Sequence, residues 1–274
     1  MERSTKVFNL VWHVENPNEL CVDAAQKQQP RWKLVGLLLT MGLGLLGTAS
    51  VADNASNPLA AVNNTDFRLQ GKSADVGDTY DFFIDGAYMV TPRLKLKYEL
   101  HYLSTDVIGT RENGLEKLVL KPIYFPSEGQ LSGGWGYRTA VGFDLIIDLG
   151  DQAKGIGIGT NQFAPLVGVA FSHANSGWTL IPLAQHFTDI GEGPDISQTS
   201  GRLIALKPFG DANWFKVDAK IPYDWENETW PITAEFQIGR TIRDGIGLYA
   251  DALVGVGADR PYDWGLGVGL RLNY

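Results

Sequence analysis

The sequence predicts an all-β fold, an antiparallel transmembrane β-barrel of about 12 strands preceded by a signal peptide. Three observations carry that reading. From residue 262 to 274 the even positions read Tyr, Trp, Leu, Val, Leu, Leu, Tyr and the odd positions Asp, Gly, Gly, Gly, Arg, Asn. One face is therefore apolar and the other small or polar, the period-two mark of a strand. The same alternation returns in segment after segment from Tyr80 onward. The mean hydropathy of −0.09 excludes a helical membrane bundle but not a barrel, because alternation averages an oily face against a polar one.

The apolar run at residues 34–47 follows Arg31 and Lys33 and precedes Ser50, Val51 and Ala52. That basic, apolar, small-residue order is a secretory signal, with cleavage expected after Ala52. The run is shorter than the roughly 20 residues a spanning helix needs. The expected division is an N-terminal extension and signal peptide over 1–52, a periplasmic leader and weak first strand over 53–72, and the barrel over 73–274. The only cysteine, Cys21, lies upstream of the expected cleavage site, so the exported chain needs no disulfide chemistry. Export leaves 18 basic and 27 acidic side chains, and an acidic chain argues against nucleic acid as a partner.

The strands follow in order. Thr65 to Gln70 is the weak first one. Tyr80, Phe82, Ile84, Tyr88 and Val90 then share a face opposite Asp81, Asp85 and Ala87. Thr91, Pro92 and Arg93 make a tight turn, with Pro fixing φ where no ladder donor is needed. Leu94, Leu96, Tyr98, Leu100 and Tyr102 point outward on the return strand, against Lys95, Lys97, Glu99 and His101. A polar loop at 104–114 leads to a strand marked by Leu118, Leu120 and Tyr124. After a Gly-rich turn at 127–134, a long strand over 135–149 alternates Phe143, Leu145 and Ile147 with Arg138, Asp144 and Asp148. It exceeds a membrane crossing of nine to eleven residues and is expected to run beyond it.

Less regular strands are expected at 155–163, 165–173, 177–188 and 200–209. Alternation recovers at 214–223, where Phe215, Val217 and Ile221 oppose Lys216, Asp218 and Lys220. It continues at 230–238, where Ile232 and Phe236 oppose Glu235, and at 246–256, and it closes at 262–274. Barrels of single bacterial chains favour even strand numbers, hence twelve. Trp135, Trp178, Trp214, Trp225, Trp230 and Trp264 fall near strand ends or turns, as interfacial girdles require.

The order of several short motifs resembles a family, the outer-membrane transporter barrels of the phenol-degradation meta-pathway. The motifs are Asn57-Pro58-Leu59-Ala60, Gly114-Leu115-Glu116 with Tyr124-Phe125-Pro126, and Gly177-Trp178-Thr179 leading to Gln185-His186. Tyr223-Asp224-Trp225-Glu226 with Trp230-Pro231-Ile232, and Asp263-Trp264-Gly265-Leu266, complete the set. After Gly114 the chain reads Leu-Glu-Lys where the family usually has a Gly-Asp step. The resemblance implies an outer-membrane barrel taking up small hydrophobic or aromatic compounds.

The candidate lumen lining is Lys95, Lys97, Glu99, His101, Arg138, Asp144, Lys216, Asp218, Lys220, Glu235 and Arg271. Mixed charge at alternate strand positions is what a barrel uses to fill or wet its interior. An enzymatic alternative is a barrel lipid hydrolase, a phospholipase or lipid A deacylase using His173 and Ser176, since a Ser nucleophile needs a His base and an orienting third group. The spacing of three would put the two on opposite faces of a continuous strand, so the segment is read as a polar turn. A secreted soluble β-sandwich is the other alternative, its apolar faces meeting a second sheet. No metal or cofactor is expected: His13, His101, His173 and His186 are scattered, and residues 155–159 lack the helix a dinucleotide loop needs. The expected setting is the outer membrane of a Gram-negative-type bacterium. The expected partners are the lipid bilayer and lipopolysaccharide, the barrel-assembly machinery through strand 262–274, and the solute.

Overall fold

A computed structural model of the chain describes residues 55–274. The signal peptide, its cleavage site and Cys21 lie outside the described residues. The described residues form thirteen strands: β1 (Asn64–Ala74), β2 (Gly77–Thr91), β3 (Leu94–Thr105), β4 (Glu112–Tyr124), β5 (Glu128–Gln130), β6 (Trp135–Asp148), β7 (Asn161–His173), β8 (Thr179–Ile190), β9 (Ser197–Phe209), β10 (Asn213–Asp224), β11 (Ile232–Arg243), β12 (Ile246–Val256) and β13 (Trp264–Asn273). Among the described residues no helix is long and apolar enough to cross a membrane.

Each strand pairs antiparallel with its neighbour in sequence, β4 pairs directly with β6, and β13 returns to β1, so the sheet closes. Three-residue β5 only extends the edge of β6, pairing Gly129 with Tyr137. The result is a closed antiparallel barrel of twelve long strands. Closure pairs every long strand on both sides and leaves no open edge along the wall.

The alternation read from the sequence is the inside and outside of this wall. On β13, Trp264, Leu266, Val268 and Leu270 are exposed while Gly265, Gly267, Gly269 and Arg271 are buried. Phe82, Tyr88, Leu100, Val141, Val167, Leu203, Phe236 and Leu248 join a belt of exposed apolar side chains around the outside. A belt of that extent is the signature of a lipid-facing surface.

Several sequence expectations need correction. The strands expected at 155–163 and 165–173 are one strand, β7, which begins at Asn161; the residues before it form a 3₁₀ turn (Gln152–Lys154) and a Gly-rich connection. Trp214, expected in the interfacial girdle, points inward and is only 4% exposed. It shares the inward parity of Lys216 and Asp218, and its ring lies over Gly239 on β11 and Gly247 on β12, where a Cβ would crowd or collide with it. Tight turns at residues 91–94, 209–213 and 243–246 gather at the end of the barrel where β1 starts and β13 finishes. The connections at 105–112, 148–161, 224–232 and 256–264 lie at the opposite end and are mostly longer.

Candidate functional site: the barrel lumen

Residues 53–72, read from sequence as leader and weak strand, divide at Asn64, where β1 begins. Residues 55–63 enter the barrel. Leu59 is 1% exposed and packs among Ile123, Phe125, Ala140, Ala170, Ile181 and Ile204, all inward-facing or at the wall's end. Lys95 Nζ donates to the Pro58 and Ala60 carbonyls at 3.2 and 2.7 Å, and an Arg138 guanidinium N–H donates to the Leu59 carbonyl at 3.2 Å. Those bonds satisfy backbone acceptors that no sheet partner reaches. Ser56 donates to Gln237 Oε1 at 2.8 Å and accepts from Arg271 Nη1 at 2.7 Å. The segment is thus stitched to four strands, β3, β6, β11 and β13.

Beyond it lies a water-accessible cavity of about 430 Å³. Nine of the eleven residues read as lumen lining surround it: Lys97, Glu99, His101, Asp144, Lys216, Asp218, Lys220, Glu235 and Arg271. Arg138 lines a second, more open cavity beside Leu59, and Lys95 is buried under the 55–63 segment. Asp66, Arg68, Gln70 and Lys72 on β1, Lys117 and Lys121 on β4, and Arg202 on β9 also line the main cavity. The even positions of β1 carry the signal for the first four, and opposite parity to the outward Leu118 and Leu120 carries it for Lys117 and Lys121.

Two ion-pair networks hold the wall. Around the seam between β1 and β13, Arg271 bonds both oxygens of Asp66, with Nη2 to Oδ2 at 2.6 Å. The Asn64 amide and the Tyr249 hydroxyl also donate to Asp66, each at 2.8 Å. Gln237 joins this set to Asp251 at 2.8 Å, and Asp251 accepts from Arg68 at 2.9 Å. The second set is made of pairs: Lys121 meets Asp144 at 2.9 Å and Glu99 at 3.6 Å, Arg202 forms a forked pair with Asp218, and Lys216 meets Glu235 at 2.6 Å, which Arg68 also reaches at 3.5 Å from the first set. Charges this deeply placed persist only when paired and hydrogen-bonded.

His101 accompanies these networks. Its Nδ1 lies 3.0 Å from Asp81 Oδ2 and its ring stacks on Phe83, with centroids 4.6 Å apart. Glu116 is brought near the pair by a bulge in β4, where the register slips between His101 and Tyr102. Lys117 Nζ sits 3.0 Å from Glu116 and Lys72 Nζ 4.0 Å from Asp81, so the carboxylates already carry cationic partners.

His173 and Ser176 are not on one strand. β7 ends at His173, and the turn brings Ser176 Oγ to 2.9 Å from His173 Nδ1, which also accepts the Ser176 N–H at 3.1 Å. Nε2 faces the Gly133 carbonyl at 3.1 Å. The ring therefore ties its own turn to the neighbouring loop, with one lone pair shared between two donors.

The closed wall, oily belt and charged lumen define a barrel with the architecture of outer-membrane β-barrels. Solved structures of the same architecture are similar to it. The NanC porin matches with 10% identity and a TM-score of 0.56, over 77% of this chain and 98% of that one. An outer-membrane channel from Pseudomonas putida F1 matches with 9% identity and a TM-score of 0.57, over 79% and 97%. The KdgM porin in complex with disordered oligogalacturonate matches with 9% identity and a TM-score of 0.52, over 77% and 99%. At such identities the likeness shows the fold alone. No family model matches the chain, and none of the curated proteins does.

Proposed function

We propose that the chain is a passive channel in the outer membrane of a Gram-negative-type bacterium, admitting small hydrophilic solutes through a narrow lumen. The observation that carries this is the charged cavity of about 430 Å³ inside a closed wall whose outer face is apolar. A barrel of twelve strands stands between eight-stranded barrels filled by side chains and sixteen-stranded open porins, and the 55–63 segment narrows it further. The apolar belt suits lipid and lipopolysaccharide, and β13 with its alternating face is the segment we assign to the barrel-assembly machinery.

The order of the short motifs supports membership of the phenol-degradation transporter family. The lumen wall, however, favours a hydrophilic solute over the hydrophobic or aromatic one that the resemblance implies, because an apolar solute would have to strip water from paired charges without replacing it. We read the chain as non-enzymatic, since the His173–Ser176 contact has the geometry of a turn tie.

Liposome swelling tests the proposal. Vesicles carrying the refolded full chain are expected to swell in small neutral sugars and amino acids and to lose that response as solute size grows. Swelling indistinguishable from empty vesicles at every size would remove the channel reading.

A further inference from the structure

We infer that the lumen holds a binding site for a small oxyanion, a carboxylate or phosphate, between two facing pairs of cations. This deepens the channel reading and rests on it. The pairs are visible in the sheet register. Lys97 on β3 stands directly opposite Lys121 on β4, and Arg202 on β9 stands directly opposite Lys220 on β10. Like charges directly opposite each other on adjacent strands are destabilising, so two such pairs on one lumen need a reason.

The two pairs sit on opposite walls, because β3 and β4 are separated from β9 and β10 by several strands either way around the barrel. They nevertheless act on one another: Arg202 is within electrostatic range of both Lys97 and Lys121. All four side chains line the same cavity. They therefore face one water-accessible space from two sides of the wall.

Lys121 and Arg202 have carboxylate partners, Asp144 and Asp218. Among the described residues Lys97 and Lys220 have none within ion-pair distance. The carboxylates in electrostatic range are already engaged. Near Lys97, Glu99 meets Lys121 and Asp85 meets Arg68; near Lys220, Asp218 meets Arg202 and Glu235 meets Lys216. The cavity as a whole is lined by nine Lys and Arg against seven Asp and Glu, in a chain whose net charge is −8. A small anion between Lys97 and Lys220 supplies the missing counter-charge, and two ammonium groups bind oxyanions as point charges without demanding a planar fork.

The test uses the refolded full chain and two readouts. In planar bilayers under a salt gradient, the reversal potential is expected to show chloride preferred over potassium. The Lys97→Gln/Lys220→Gln variant is expected to lower that preference by on the order of tenfold. In detergent, calorimetric titration with inorganic phosphate and, separately, with succinate is expected to show saturable binding that the same variant weakens by on the order of tenfold, while Lys154→Gln in the exposed loop leaves it unchanged. The two titrations also separate phosphate from carboxylate as the preferred anion. Because the variant removes like-charge repulsion, its barrel is expected to unfold at the same temperature as the parent or higher. A variant that unfolds earlier would make the lysines structural and overturn the inference. Conductance with cation preference and no titratable anion would overturn it while sparing the channel. Anion binding lost in the variant without any conductance would uphold the site and remove the channel reading. Lys97→Met alone, expected to shift both readouts in the same direction but by less, guards against failure of the double variant to fold.

Discussion

Arg271, three residues before Tyr274, stands directly opposite Asp66, the third residue of β1, and grips both carboxylate oxygens across the seam where the last strand meets the first. The pair joins the first and last strands and also carries the Ser56 contact that holds the 55–63 segment inside. Asp66 is only 1% exposed. Removing Arg271 would leave a buried carboxylate uncompensated, a loss of about 3–5 kcal/mol. Arg271→Ala is therefore expected to lower the temperature at which the folded band on a gel converts to the unfolded one. The double change Arg271→Met with Asp66→Leu is expected to cost less than the single one.

Gly269 and Gly201 separate the two uses of glycine in the wall. A Cβ at Gly269 would fall 2.1 Å from the Tyr249 ring, whereas one at Gly201 meets nothing nearer than 4.0 Å. Gly269→Ala is expected to displace Tyr249 from Asp66 at a cost on the order of 1–3 kcal/mol, read as earlier unfolding on the same gel. Gly201→Ala, on the outer face, is expected to be neutral. Equal effects at the two positions would show that the lumen packing of Tyr249 is not what the glycine serves.

The outer face makes its own prediction. Val268 is 47% exposed in the belt, and an arginine on a lipid-facing barrel strand costs about 2–4 kcal/mol near the midplane. Val268→Arg is expected to refold poorly into bilayers, while the inward change Lys72→Arg refolds like the parent. Equal refolding yields would argue against lipid on that face.

Leu59 is the hydrophobic latch of the luminal segment. Leu59→Asp places a charge among Ile123, Ile181 and Ile204 and should drive residues 55–63 off the wall. The expected outcome is a rise in single-channel conductance with no loss of the folded gel band. Unchanged conductance would mean that the segment does not limit the pore.

The same latch explains where sequence reading succeeded and where it blurred. Strands β3, β10 and β13 have a polar or glycine-rich inner face, so period two showed through and their lining residues were legible. Around β7, β8 and β9 the inner face is apolar too, because Ala170, Ile181 and Ile204 cover Leu59. Alternation is invisible where both faces are oily, so period two gives no sign of Arg202, while the Gly-Ile alternation at residues 155–159 mimics a strand ahead of β7. Trp214 was misplaced for a related reason: its nearness to a strand end was legible, but the room made for it by Gly239 and Gly247 depends on pairings between strands. The like-charge pairs Lys97–Lys121 and Arg202–Lys220 also required register, which one sequence does not specify.

The most direct test of the central claim is the mobility of the refolded full chain on gels before and after boiling, recorded together with single-channel conductance in planar bilayers. A closed twelve-stranded barrel with a water-lined lumen is expected to run as a compact band that shifts on heating and to give discrete conductance steps. A band indifferent to boiling, from a chain that stays monomeric and soluble without detergent, would contradict the account.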